Sequence, residues 1–327
     1  GVSYLGGCCG KTPAHLKAMI EATKDIEDKV PEFKNETIVA SYSKSVDLSE
    51  GAVIGERINP TGKKLMKEAL RNKDMDYVLR QGITQTEAGA HILDVNMGLP
   101  EIDEKEMLCS GVYELQSVLP VPLQLDSGDA EAMEAALRLY NGKAMINSVN
   151  GKEKSMKEVF PLAKKYGGVV VCLCLDEDGI PSTAQGRIAI AKKIIKRAAE
   201  YGIDKKNLAV DALVMTISTD TNNAIETLNA VDYIRNTLGV NTVLGVSNIS
   251  FGLPNREAVN TAFYTLAMSR GLSAGIINPN SRPMMNAFYS YKALAGKDES
   301  CQEYIKSAVD TEIVQKTENL DLKTAII

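Results

Sequence analysis

Histidine is almost missing from this chain, with two among 327 residues. His15 lies in the leading segment and His91 enters a short apolar run, both away from the polar cluster described below. A Ser-His-Asp triad, histidine acid–base chemistry and a multi-histidine metal centre are therefore not expected. No apolar run is long enough to span a bilayer, so no membrane association is expected. The N-terminus lacks the basic start, apolar core and small-residue cleavage site of a signal peptide. The six cysteines, at 8, 9, 109, 172, 174 and 301, show no regular disulfide spacing. Cys172 and Cys174 lie inside an apolar run and read as small core residues, and the expected compartment is the reducing cytoplasm. A basic excess is lacking too: 37 Lys and Arg against 42 Asp and Glu give a net charge of −5, which argues against a nucleic-acid partner. No strand candidate leads into a G-x-G-x-x-G turn. Gly10-Lys11-Thr12 ends like a P-loop, but Leu5 occupies the place of the first glycine and no strand precedes it.

What is present is alternation. Short apolar runs at 52–55, 92–95, 122–125, 144–146, 169–175, 208–210, 242–246 and 274–277 read as strands. Amphipathic segments at 74–88, 129–140, 155–166, 185–201, 223–238, 257–269 and 284–294 read as helices. This βα order predicts a parallel sheet of the α/β class, and eight strands fit a (β/α)8 barrel. An open doubly wound sheet is the alternative. Residues 1–50 read as a terminal helix, capped at Thr12-Pro13, followed by a polar linker. The barrel is placed at 51–296 and a C-terminal helical extension at 297–327, ending in a segment that reads as a helix cut off part-way.

Seven of these strands end in a carboxylate or carboxamide: Glu56 with Asn59, Asp94 with Asn96, Asp126, Asn147 with Asn150, Asp211, Asn248 and Asn278. That end is where barrel enzymes build their sites. Each buried polar group left unpaired costs about 1–3 kcal/mol, so a ring of them implies a ligand or ordered water. Helix capping is the plain alternative and suits Asp129 or Ser155. It does not suit Asp94, Asp126 and Asp211, which sit within or directly at the ends of apolar runs. The stretch from Ser247 to Arg256 reads either as an ordinary βα loop or as one side of this ring. Carboxylates with carboxamides suit a neutral planar ligand edge of N–H and C=O groups, as on a pterin or purine.

Several motifs together carry a resemblance. Gly55-Glu56-Arg57-Ile58-Asn59-Pro60-Thr61-Gly62, Leu93-Asp94-Val95-Asn96 and Leu123-Gln124-Leu125-Asp126-Ser127 are three of them. Met145-Ile146-Asn147-Ser148 and Gly245 to Arg256 are the others. In this order they resemble the pterin-binding barrel of the cobalamin-dependent methionine synthase family, over roughly 52–294. The barrel is shared with the corrinoid–iron-sulfur protein methyltransferases. The resemblance implies that the substrate is 5-methyltetrahydrofolate and that its methyl group goes to cob(I)alamin on the way to homocysteine. It also implies that Asp126, Asn147 and Asp211 hold the pterin edge, while Glu56, Asn59, Asp94 and Asn96 line the mouth. Asn248 would sit near N5, and Arg256 would assist the pterin or the glutamate tail. Asn248 and Asp126 are thus the expected catalytic residues.

Gly6-Gly7-Cys8-Cys9-Gly10 resembles the end of a homocysteine-binding domain, in which the paired cysteines are two of three zinc thiolates. The third is upstream in that family and missing here, so zinc is expected only in a longer protein. The implied partners are folate and separate homocysteine- and cobalamin-binding domains. A dihydropteroate synthase remains an alternative, since Asp126-Ser127 and Asn147-Ser148-Val149-Asn150-Gly151 are reminiscent of it. A folate-binding fragment inactive without further domains is another.

Overall fold

A computed structural model describes residues 4–27 and 36–308. The chain divides into two compact units, Gly1–Asn35 and Glu36–Ile327. In the first, helix α1 (Pro13–Thr23) begins where the sequence places it, with Thr12 as N-cap and proline in the first turn. No residue of this helix is buried.

The second unit opens with an antiparallel hairpin, β1 (Ile38–Ala40) and β2 (Ser45–Asp47). The main body then runs β3 (Ala52–Ile58), α2 (Lys64–Arg71), α3 (Met75–Glu87), β4 (Ile92–Val95), α4 (Glu104–Val118), β5 (Leu123–Asp126), α5 (Ala130–Leu139) and β6 (Met145–Asn150). It continues with α6 (Glu153–Tyr166), β7 (Val169–Leu173), α7 (Ala184–Glu200), β8 (Leu208–Asp211), α8 (Asn223–Asp232), β9 (Asn241–Gly245), α9 (Arg256–Ser269), β10 (Ala274–Ile277) and α10 (Arg282–Leu294). Strands β3 to β10 pair in parallel, and β10 pairs back to β3, closing an eight-stranded barrel. The open sheet is thereby excluded. Helices α2 and α4, absent from the sequence reading, complete the crossovers after β3 and β4.

The period of two along each strand sorts the core into two clusters. Val53, Leu93, Leu123, Leu125, Ile146, Val170, Leu208 and Leu244 face the helices. Ile54, Ile92, Met145, Val169, Val171, Ala209, Val243 and Ala274 fill the bore instead. Val39, Val46 and Leu48 join the bore cluster, so the hairpin plugs one end of the barrel. Its backbone is tied there, with Ala40 N–H donating to the Lys143 carbonyl at 2.9 Å and Lys143 N–H to Ala40 at 2.8 Å. The sequence reading assigned 36–50 to a linker, whereas these residues belong to the barrel unit. The reason is local: two short triplets, each with a buried valine at its centre, flank a Ser-Tyr-Ser-Lys turn, and each is stable only because it pairs and packs.

Gly55 shows how closely a helix meets the wall. A Cβ there would lie 2.5 Å from Gln85 Oε1, which accepts the Arg57 N–H at 2.8 Å. At the other end of the chain, Lys292 of α10 is buried and paired with Glu303 at 2.7 Å. Asp298 caps the helical turn at 302–308 through the N–H groups of Glu303 and Tyr304. The part-helix expected at 320–327 falls outside the described residues.

Candidate functional site

The inward column that is apolar in the bore turns polar toward the strand C-termini. Two residues beyond Ile54 comes Glu56, beyond Ile92 Asp94, beyond Gln124 Asp126, beyond Met145 Asn147, and beyond Ala209 Asp211. The pairing register sets Asp94 beside Gln124 and Asp126 beside Asn147. Gln124 donates to Asp94 at 2.6 Å, and Asn96 Nδ2 donates to Asp126 at 3.0 Å. Asn147 adds a hydrogen bond to Asp94. On the far side of the mouth, Ser247 Oγ donates to Glu56 at 3.1 Å. A cavity of about 390 Å³ runs from the ends of β5 and β6 outward between α5 and α6: Asp126 and Asn147 line its inner side, Lys152 and Lys154 its rim, and Met133 and Leu162 its helical walls.

Burial dominates the electrostatics of these acids. It pushes the Asp94 carboxyl well above the usual carboxylate range, and the neighbouring Asp126 charge adds to the shift. Asp126 and Glu56 are likewise raised by burial, opposed by Asn96 for the first and by Lys63 and Ser247 for the second. Asp211 is pushed up to about 7 by burial, against the Leu213 N–H and the Arg187 guanidinium that favour its charge. Burial thus holds four acids at one mouth closer to neutrality than free carboxyls.

Of the expected residues, Glu56, Asp94, Asn96, Asp126, Asn147 and Asp211 lie on this inward column or at its end. Asn248 is exposed in the short 3-10 turn Val246–Ser250 that follows β9. Asn59 closes a local turn, accepting the Thr61 N–H at 2.9 Å, and Asn278 does the same for Asn280 at 3.2 Å. Arg256 braces its own loop: it donates to Ser250 Oγ at 3.0 Å and to the Ser247 carbonyl at 2.8 Å.

Two residues of the mouth escaped the sequence reading. Gln124 sits on the same strand face as Asp126, a placement the period of two already contained. Lys63 donates to the Glu56 carbonyl at 3.0 Å and the Asn59 carbonyl at 3.3 Å, closing the loop after β3. Burial lowers its pKa and the Glu56 charge raises it. Nothing local marks Lys63, because Lys64 and Lys67 nearby are ordinary helix lysines, the first exposed and the second half-buried.

Residues 55–278 match the family described as pterin binding enzymes. This chain belongs to that family. It is 32% identical over 259 residues to a methylcorrinoid:tetrahydrofolate methyltransferase of Eubacterium limosum, covering 78% of this chain and 95% of that protein. It is also 32% identical over 305 residues to the methionine synthase of Mycobacterium tuberculosis, covering 88% of this chain. It spans only 25% of that protein's length. Among solved structures, dihydropteroate synthase from Xanthomonas albilineans in complex with 7,8-dihydropteroate aligns with a TM-score of 0.63 at 20% identity. The alignment covers 79% of this chain and 98% of that one, and it shows the shared barrel.

Zinc is expected only with a third ligand from outside this chain. The Cys8 and Cys9 sulfurs are exposed and 3.9 Å apart. Among the described residues no third histidine, cysteine or carboxylate joins them, and two thiolates are too few for a zinc site. Among the described residues, no helix is long and apolar enough to cross a membrane.

Proposed function

We propose that the barrel mouth binds 5-methyltetrahydrofolate and yields its N5-methyl group to cob(I)alamin, one half-reaction of methionine synthesis from homocysteine. One observation carries this reading: a converging set of carboxamides and of carboxyls whose proton affinity burial raises, in a chain similar over 78% of its length to a named methylcorrinoid:tetrahydrofolate methyltransferase. Asp126, Asn147 and Asp211 take the pterin edge. A carboxylate accepts two parallel N–H bonds there, and an amide donates and accepts at once. Glu56, Asn59, Asp94 and Asn96 shape the mouth around it.

A corrinoid finds no imidazole here: His15 is in α1, and half-buried His91 has its Nδ1 accepting the Val53 N–H at 3.0 Å. The chain's own residues fit the methyl donor, and the corrinoid, presented by another domain or protein, supplies the nucleophile. A tertiary amine leaves poorly unless N5 gains a proton or a strong hydrogen bond. Asn248 serves this need by rotating its amide between donating to the N5 lone pair and accepting from N5–H once the proton has arrived. Its turn is bonded to Glu56 through Ser247, which places a carboxyl of raised pKa one residue from that amide. Rigid anchoring of the pterin supplies the orientation on which such transfers depend.

The test is a folate titration followed by methyl transfer to added cob(I)alamin. Transfer well above an Asn248→Ala control is expected; transfer no faster than that control sinks the reading. A dihydropteroate synthase would need cations for a pyrophosphate: the Lys63 ammonium is already engaged with two carbonyls, whereas Lys152 and Lys154 line the cavity beside Asp126 and Asn147, so an assay has to separate the two enzymes. Incorporation of p-aminobenzoate would favour that enzyme. Folate binding with no transfer, even with the acceptor supplied, would favour a binding module.

A further inference from the structure

Arg187, on α7 and outside the bore, is fully buried. Its Nε donates to the Pro181 carbonyl at 2.9 Å, and its Nη1 to the Leu213 carbonyl at 3.0 Å and to Thr227 Oγ1 at 2.6 Å. Its Nη2 is buried with no hydrogen-bond partner. A buried guanidinium bonded to carbonyls and a hydroxyl is an unusual placement, because such charges are normally paired. The Leu213 it holds is unusual too. This residue has φ of 62°, a left-handed conformation that a branched side chain rarely adopts. The N–H of the same Leu213 donates to Asp211 Oδ1 at 2.7 Å. One strained residue is therefore gripped from both sides, by Arg187 at its carbonyl and by Asp211 at its N–H.

We propose that Arg187 is a positioning residue for Asp211: by holding the Leu213 carbonyl it keeps Leu213 left-handed, so that the Leu213 N–H fixes one carboxylate oxygen and leaves the other for a ligand N–H. The inference rests on the reading of Asp211 as a pterin-edge residue. Planarity matters, since the guanidinium reaches Pro181, Leu213 and Thr227 at once, which a lysine ammonium on a flexible stem does not reproduce. Arg187 is also the cation whose charge favours ionised Asp211. The other titratable groups facing this pair are Cys174 and Glu226. The Cys174 thiol is kept neutral by burial, and Glu226 accepts the Ala184 N–H at the start of α7.

The experiment titrates the full chain with methyltetrahydrofolate from about pH 5 to about pH 9, bracketing the carboxyl transition. It compares the unsubstituted protein with Asp211→Asn, Arg187→Met and Arg187→Lys, the last two also in a Leu213→Gly background. Asp211→Asn is expected to weaken binding at least tenfold, the scale of a hydrogen bond to a charged group. Arg187→Met and Arg187→Lys are expected to weaken it roughly three- to tenfold. Loss of the nearby cation makes Asp211 harder to ionise, so Arg187→Met is also expected to move the pH midpoint of binding upward. Glycine takes a left-handed φ without strain, so Leu213→Gly should restore part of the affinity lost on substituting Arg187. The midpoint shift follows from the lost charge alone, so the readouts that a merely structural arginine would not give are the weakening in the charge-conserving Arg187→Lys and its rescue by Leu213→Gly. Weakened binding in Asp211→Asn with unchanged affinity and pH profile in the Arg187 variants overturns the inference. If Arg187→Met does not fold, Arg187→Lys decides alone, with unchanged affinity overturning it. Unchanged affinity in Asp211→Asn removes the pterin-edge premise and the inference with it.

Discussion

At the N-terminal end of the barrel Val39, Val46 and Leu48 fill the bore, while at the C-terminal end Glu56, Asp94, Asp126, Asn147 and Asp211 occupy the same inward column. Each end holds titratable groups out of water. His91 near the plugged end is lowered to about 4 by burial and accepts a backbone N–H, so it stays neutral and satisfied. The acids at the open end are raised by burial and are only partly offset by protein partners. Gln124 Oε1, buried beneath them, has no hydrogen-bond partner. Buried groups at one end are satisfied within the protein, and those at the other retain unfilled hydrogen-bonding capacity.

The sharpest way to break this comparison is to empty the plug. Leu48→Ala removes a fully buried side chain and is expected to cost about 2–5 kcal/mol in denaturant unfolding, with folate affinity unchanged. A parallel loss of affinity would mean that the two ends are not independent. Next comes Asp126→Asn at the mouth, expected to weaken folate binding by about 1.5–3 kcal/mol, the value of a hydrogen bond to a charged group. The same substitution removes a buried acid, so thermal unfolding of the unliganded protein at alkaline pH should move upward rather than downward. Unchanged affinity would take Asp126 off the pterin edge.

Acid titration opposes the two ends directly. Asp211 has a folded pKa of about 7, above that of an unfolded aspartate, so its burial penalty is absent at low pH and grows as pH rises toward 7. A ligand offering N–H donors prefers the ionised form, so folate affinity is expected to rise with pH through about 7. Binding that is flat there, followed by calorimetry, would remove ionised Asp211 from recognition. His91 has the opposite sign. Its folded pKa of about 4 lies below the unfolded value, so its contribution is present at neutral pH and lost as pH falls toward 4. The smallest expected effect belongs to His91→Asn, a loss of about 1 kcal/mol at neutral pH and a shallower stability decline in acid, with folate binding intact.

Much of the fold could be read in advance because a parallel strand buried on both faces is a short apolar run, and eight such runs alternate with amphipathic segments. The hairpin at 38–47 could not, because three-residue strands carry too little pattern to stand out from a polar stretch. Asp94, Asp126 and Asp211 were legible because a carboxylate ending an apolar run is conspicuous. Gln124 was not, although Leu123 and Leu125 on either side imply that it faces the bore. Lys63 and Arg187 left no trace, since a lysine before a helix and an arginine within one are ordinary in sequence.

The sequence by itself determined the order of strands and helices and the end of the sheet at which polar groups collect. Both follow from local hydrophobic period and from what a strand end can bury. Tertiary structure alone decided that β10 returns to β3, since closure depends on pairing between the ends of the barrel sequence. It also decided which amides turn inward and which, like Asn59 and Asn278, close their own turns. Asn248 shows the same limit: its place in the chain follows from the sequence, but the bond from Ser247 to Glu56 that ties its turn to the mouth spans 191 residues and exists only when the barrel is closed.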